Sequence, residues 1–304
     1  MVHIPVLLNE VIEYLDPKPG QKFIDATFGA GGHSRVISEK IGHSGKILGI
    51  EATAELYEKT GMLSPNLTIV NDNFVNLEDI VQKYDFNNVD GILFDLGISS
   101  WHFEGSGMGF SFQKDEPLDM RLGDGIRNYE LGITNASAED IVNKYNSEAL
   151  TKIFKEYGEE RFAKPIAEAI TRARKNKPIK TTFELVEVIK NTVPGWYRHR
   201  RIHFATKVFQ ALRIETNNEL KNLESALGQS ERILKPGGRI VVISFHSLED
   251  RIVKNFLRDG KKIGKWGILT KKPITPSREE TLSNPRARSA KLRAAKLVYQ
   301  AKSL

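Results

Sequence analysis

The decapeptide Asp25-Ala-Thr-Phe-Gly-Ala-Gly-Gly-His-Ser34 follows the short apolar run Lys22-Phe23-Ile24 and leads into a helical run from Ser34 to Ile41. An acid, three spacers and Gly-x-Gly-Gly suit a strand that turns into a helix beneath a nucleoside-bearing ligand. Gly29, Gly31 and Gly32 keep side chains away from the backbone, so its N–H groups can approach such a ligand closely. A dinucleotide fingerprint would place its third glycine at position 34, where this chain has Ser34. That difference turns the reading from NAD toward S-adenosylmethionine. Taken alone, the motif also fits an ordinary glycine-rich turn.

The remaining parts of such a site fall at regular places. A ribose diol needs an acid, and Glu51 lies 22 residues beyond Gly29, near the spacing expected of a ribose-binding carboxylate. Phe74 is a platform for an adenine or a plain core residue. Asp95, with Ser99 and Ser100 in Asp95-Leu-Gly-Ile-Ser-Ser100, follows an apolar run and can orient a nucleophile, or serve as a turn or cap. An exocyclic amine has its lone pair drawn into its ring, so catalysis there would lean on orientation. The Asn-Pro-Pro-aromatic motif of amino methyltransferases acting on DNA is absent, so this motif does not derive an amino target. His246, in Ser244-Phe-His-Ser-Leu-Glu-Asp-Arg251, is a candidate for substrate contact, proton handling or structural hydrogen bonding. Ser247 and Asp250 read as capping residues. The histidines lack metal-site spacing and cysteine is absent, so no metal is expected and disulfide or thiolate chemistry is excluded.

Charge is unevenly spread over the 304 residues. Residues 1–159 carry a net −12, residues 160–201 +7, residues 202–260 +2 and residues 261–304 +10. This suggests a polyanionic partner, with a solvated face plus a basic tail as the plainer reading. Two basic clusters suit phosphate contact: Arg172, Arg174, Lys175, Lys177 and Lys180 with Trp196-Tyr-Arg-His-Arg-Arg201, and Arg286, Arg288, Lys291, Arg293 and Lys296. Trp196 and Tyr197 are candidates for base stacking or for core packing. No apolar run reaches membrane-span length and the N-terminus lacks a signal peptide, so a cytoplasmic protein is expected.

These residues need a scaffold. Strand-like runs Lys22–Ala26, Lys46–Ile50, Leu67–Asn71 and Val89–Phe94 alternate with helical runs Ser34–Ile41, Ala52–Thr60 and Asn76–Tyr84. That alternation predicts βαβ units and a doubly wound parallel sheet with Asp25, Glu51 and Asp95 at strand ends, where ligands of such sheets bind. Residues 96–133 read as loop and 137–214 as helices, with Ser137 and Thr182 as caps and breaks at Pro178 and Pro194-Gly195. A helix over Glu219–Leu234 ends at Lys235-Pro-Gly-Gly238. A buried strand over Arg239–Phe245 and a helix to about Arg258 follow. Residues 261–293 look irregular, ordering only on binding, and Lys296–Ala301 suits a closing edge strand.

Taken together, these segments resemble the small-subunit ribosomal RNA (cytosine-N4)-methyltransferase family of the RsmH/MraW type. The resemblance rests on His3-Ile-Pro-Val-Leu-Leu-Asn-Glu10, the decapeptide, Asp90-Gly-Ile-Leu-Phe-Asp-Leu-Gly-Ile-Ser-Ser100 and Gly109-Phe-Ser-Phe112. Pro117-Leu-Asp-Met-Arg121, Arg213-Ile-Glu215, Asn217-Asn-Glu-Leu220, Ser244-Phe-His-Ser-Leu-Glu-Asp-Arg251 and Asn284-Pro-Arg-Ala-Arg-Ser-Ala-Lys-Leu-Arg293 extend it nearly end to end. It implies a class I S-adenosylmethionine-dependent methyltransferase: a Rossmann-like domain over 1–105 and 206–304 with an inserted helical domain over 106–205. It implies N4-methylation of a cytosine in the decoding region of small-subunit rRNA, free or in the assembled subunit. Donor contacts carry over to Gly31, Gly32, His33, Glu51, Phe74, Asp95 and His102. The family usually has Asp at position 51 and Gln at position 102. Asp119, Arg121 and His246 are expected near the target base. Methylation of another RNA base or of a protein, and a silent ribosome-assembly factor, are the competing readings, with a dehydrogenase the remotest.

Overall fold

The computed structural model describes residues 4–60, 64–98, 100–123 and 136–298. The chain divides into two compact units, one of Met1–Gly97 with Leu220–Leu304 and one of Ile98–Glu219.

The first unit is a seven-stranded sheet in the order β3-β2-β1-β4-β5-β7-β6. Its strands are β1 (Lys22–Asp25), β2 (Lys46–Glu51), β3 (Leu67–Asn71), β4 (Val89–Asp95), β5 (Leu234–Ser244), β6 (Trp266–Ile268) and β7 (Lys291–Leu297). The first five run parallel, while β7 is antiparallel to both β5 and β6. The central strands are apolar on both faces because helices cover both. On one face Ile24, Leu48, Ile92, Phe94, Ile240 and Val242 pack with α4 (Leu77–Lys83), α12 (Glu219–Ile233) and α13 (Ser247–Lys262). On the other, Phe23, Ile47, Leu93, Val241 and Ile243 meet Val11 and Leu15 of α1 (Leu8–Leu15) and Ile37 and Ile41 of α2 (Gly32–Ile41). The four-residue spacing on α1 and α2 sets one apolar stripe per helix toward the sheet. A short α3 (Ala54–Thr60) links β2 to β3.

Three expectations for the C-terminal region change. The closing strand is β7, and it lies inside the sheet between β5 and β6 instead of at its edge. β5 starts at Leu234 and absorbs Lys235-Pro-Gly-Gly238 as a register shift against β4. The stretch expected to be irregular carries β6, α14 (Arg278–Ser283) and a 3-10 turn at Pro285–Ser289. Glu280 accepts the Leu7 backbone N–H at 2.7 Å, and the Trp266 indole donates to Glu231 at 3.0 Å. Both tethers join residues far apart in sequence, which local patterning does not reveal.

The second unit is built from α5 (Ser100–Glu104), α6 (Ala138–Lys144), α7 (Ser147–Glu156), α8 (Ala163–Asn176), α9 (Thr182–Thr192), α10 (Gly195–Arg198) and α11 (Thr206–Asn217). Its core takes Ile141, Leu150, Phe154, Ile166, Ile170, Leu185 and Ile189, and α11 adds Val208, Phe209 and Leu212. Ser137 caps α6 in a capping box with Asp140, as the sequence predicts. The cap of α9 is Thr181, not Thr182. Thr182 is buried, and its hydroxyl donates to the Lys114 carbonyl at 2.7 Å. No helix among the described residues is long and apolar enough to cross a membrane.

Candidate active site

The glycine turn lies at the carboxyl end of β1. Phe28 donates its N–H to the Ile50 carbonyl at 2.9 Å, and Gly31 donates to Phe28 at the same distance. Gly31 then caps α2 at φ 71°, a left-handed conformation that strains any residue with a Cβ. A Cβ on Gly32 would fall 2.4 Å from the Pro5 ring, so this glycine lets the N-terminal segment lie against the start of α2. A Cβ on Gly29 would meet nothing nearer than the Thr27 carbonyl at 3.9 Å. The turn is therefore open at Gly29 and closed at Gly32.

Glu51, buried at the end of β2, clamps this turn. Its Oε2 accepts the Gly29 N–H at 2.9 Å and its Oε1 accepts the Thr53 N–H at 2.8 Å. Burial pushes its pKa up against the pull of those bonds. A carboxylate has about four acceptor positions, so both oxygens keep capacity for a diol.

Ser34, standing where a dinucleotide site would have glycine, has a partner that explains it. Its hydroxyl donates to Asp25 Oδ2 at 2.7 Å, and both residues are buried. Burial raises the Asp25 carboxyl to about 6 despite this bond and a longer one from the Thr27 N–H. The pair pins the end of β1 to the first turn of α2.

His33 Nε2 lies 3.0 Å from the Val6 carbonyl, which assigns the ring proton to Nε2. Its Nδ1 is 3.7 Å from Asp95 Oδ2. Asp95 ends β4 and donates its backbone N–H to the Thr27 hydroxyl at 2.6 Å. Its Oδ1 is buried with no hydrogen-bond partner. Burial first, then the negative charges of Asp25 and Glu249, raise the Asp95 pKa well above the usual carboxylate range. A buried acceptor without a donor costs roughly 1–3 kcal/mol, a penalty that a ligand donor would relieve. Phe74 packs edge-on to Phe94, with ring centroids 5.8 Å apart, and stays half-buried.

His246 is the N-cap of α13. Its Nδ1 accepts the Glu249 N–H at 3.3 Å, and Glu249 Oε2 accepts the N–H groups of Phe245 and His246 at 2.7 and 3.1 Å. The capping box is thus His246 with Glu249, one residue before the expected Ser247-x-x-Asp250. Asp250 pairs instead with Arg293, at 2.7 Å. Glu249 was not singled out by sequence reasoning. Its i+3 position after the cap was the signal that could have found it.

The first unit thus brings Gly29, Gly31, Gly32, His33, Glu51, Phe74 and Asp95 to the carboxyl edge of its sheet, with His246 where β5 gives way to α13. Ser99 lies outside the described residues. Ser100, the first residue of α5, and His102 belong to the second unit. There His102 is buried, edge-on to Trp101 and Phe110 at 5.2 Å each. Burial, then the charge of Arg213, lowers its pKa to about 4. Its imidazole is therefore neutral near pH 7 and, like a Gln amide, offers a donor and an acceptor. Asp119 and Arg121 neutralise each other through bonds of 2.5 and 2.7 Å.

The basic clusters divide by role. Arg174 donates to the Val142 carbonyl at 2.6 Å and so caps α6. Lys177 pairs with Glu184 at 2.5 Å. Arg293 is buried on Asp250, with Lys291 at 3.6 Å from the same carboxylate. Tyr197 is also buried, its hydroxyl donating to Glu160 at 2.7 and 2.9 Å. These contacts are structural. Arg286, Arg288, Arg200 and Arg201 are exposed, and Trp196 is 56% exposed.

A parallel sheet with an antiparallel seventh strand slotted beside the fifth, and a glycine turn at the end of its first strand, define the Rossmann-like fold of class I methyltransferases. The chain belongs to the MraW methylase family, whose model matches residues 1–298. It is 45% identical to the ribosomal RNA small subunit methyltransferase H of Halothermothrix orenii, over 97% of this chain and 98% of that protein. It is 46% identical to the protein of the same name from Thermosipho melanesiensis, over 97% and 98%.

Proposed function

We propose that the protein transfers a methyl group from S-adenosylmethionine to N4 of a cytosine in the decoding region of small-subunit rRNA, in the cytoplasm. The family and the names of its relatives support methylation of small-subunit rRNA. The cytosine, its N4 and its place in the decoding region come from the resemblance of the sequence motifs. The observation that carries the site assignment is the partly buried Asp95 carboxyl, whose Oδ1 is buried and unmatched.

The residues present fit the donor. The turn is open at Gly29, and Glu51 keeps acceptor positions for the ribose hydroxyls. S-adenosylmethionine, when bound, supplies an electrophilic methyl group on sulfur. Gly29, Gly31, Gly32 and the His33 backbone would hold its amino-acid portion, and Phe74 would pack on its adenine. Asp95 accepts an N–H of the cytosine amine and so orients the nitrogen lone pair for transfer. Orientation of this kind accounts for much of the rate when the nucleophile is a weak, delocalised amine. The His246–Glu249 cap holds the neighbouring end of β5. The helical unit Ile98–Glu219 recognises the RNA.

The test is mass mapping of methylated nucleosides in rRNA from a deletion strain. Loss of one methylated cytosine from the small-subunit RNA is expected. An unchanged cytosine profile, or loss of a different methylated base, contradicts the assignment.

A further inference from the structure

We infer that Trp196 is a stacking platform for an unpaired nucleotide of the RNA, distinct from the target cytosine, with Arg161 and Arg200 holding the adjoining phosphates. This rests on the reading of the protein as an RNA methylase and names how its helical unit grips that substrate. Pro194 and Gly195 open the four-residue α10, which sends successive aromatic rings to opposite fates. Tyr197 turns inward, 2% exposed, anchored by its hydroxyl to the buried Glu160 carboxylate. Trp196 turns outward at 56% exposure, an unusual position for so large an apolar ring.

The ring is nevertheless held. It packs edge-to-face with Tyr197 at 5.7 Å between centroids and 87° between planes, and Phe162 tilts against it at 6.0 Å. The Arg161 guanidinium lies 5.6 Å from the Trp196 centroid, and Arg200 lies 5.0 Å from that of Tyr197. From Pro194 to Lys207 the chain has four Lys or Arg and no acid. A braced, exposed indole with one guanidinium against it and a second on the neighbouring Tyr197 matches a base flanked by phosphates, whereas a protein partner's apolar surface would not call for this excess of cations.

The test is steady-state methylation of isolated small subunits by W196A and W196F, with binding of donor measured in parallel. W196A should raise KM for subunits about tenfold, within the range of one base–aromatic stack, with kcat and donor affinity unchanged and W196F close to wild type. A short single-stranded oligoadenylate should quench tryptophan emission of the wild type, and the quench should vanish in W196F. Wild-type KM in W196A, or quenching that survives in W196F, overturns the inference. A raised KM without any oligoadenylate quenching also overturns it and points to a ribosomal protein contact instead. If wild-type protein methylates no subunit at all, the functional reading fails, while the quenching experiment still decides the platform.

Discussion

The carboxyl edge of the sheet and the turn around Trp196 solve opposite problems. At the sheet edge the chemistry-bearing groups are buried carboxyls, with Asp25, Glu51 and Asp95 all pushed up in pKa by burial. At the Trp196 turn they are exposed cations on an aromatic base fastened by one buried Tyr197–Glu160 bond. The first arrangement strains the protein to suit a small ligand. The second costs the protein little and suits a large polyanion whose charge is spread along its length. Positioning for chemistry and capture of substrate are thus built from different residue types.

Substitutions should separate the two regions. The largest effect belongs to D95N, which keeps shape but turns one carboxyl oxygen into an amide donor: kcat should fall by roughly a hundredfold or more. Its melting temperature should hold or rise, because a buried, poorly partnered carboxyl is gone. A D95N enzyme with near-normal kcat would break the comparison. Next is E51A, which frees the Gly29 and Thr53 N–H groups and removes the ribose acceptor. Calorimetry should show donor affinity weakened by about ten- to a hundredfold, or roughly 1.4–3 kcal/mol. Unchanged affinity contradicts the clamp. Y197F is expected to lower stability by about 1–2 kcal/mol by leaving the buried Glu160 carboxylate short of a donor, without altering donor affinity.

The smallest effect is in the pH dependence of stability, where the raised carboxyls Asp25, Glu51 and Asp95 act in one direction and His102 in the other. Asp25 has a folded pKa of about 6 against 3.8 unfolded, so the unfolded chain ionises first and stability falls as pH rises across that window. His102 has a folded pKa of about 4 against 6.5 unfolded, so the unfolded chain holds more protons and stability rises with pH over nearly the same window. Denaturant titrations at several pH values should show the slope of stability against pH shifted upward in D25N and downward in H102Q, each relative to the wild type. Equal slopes in both variants would contradict the assignments.

What the sequence made legible was short-range. The glycine turn, the alternation of strands and helices and the carboxylates at strand ends follow from local pattern, as does the Ser137 box. What it hid depends on partners far along the chain. Nothing near Arg293 announces Asp250, 43 residues away, nor near Tyr197 its partner Glu160, 37 residues away. Arg174 looked like a phosphate ligand because the Val142 carbonyl it caps lies on another helix. The sequence reads β7 as an edge strand because the strand that covers it, β6, is only three residues long. The sequence leaves His246 open between substrate contact, proton handling and structural hydrogen bonding, and its place as the α13 cap follows only from the geometry of Glu249.

The central claim is that the Asp95 edge directs a methyl group onto the amine of one cytosine. It is tested most directly by incubating the protein with tritiated S-adenosylmethionine and small subunits from the deletion strain, then digesting the RNA to nucleosides. The account predicts radioactivity in N4-methylcytidine alone, and almost none when D95N replaces the wild type. Label in another nucleoside or in ribosomal protein, or full labelling by D95N, would contradict it.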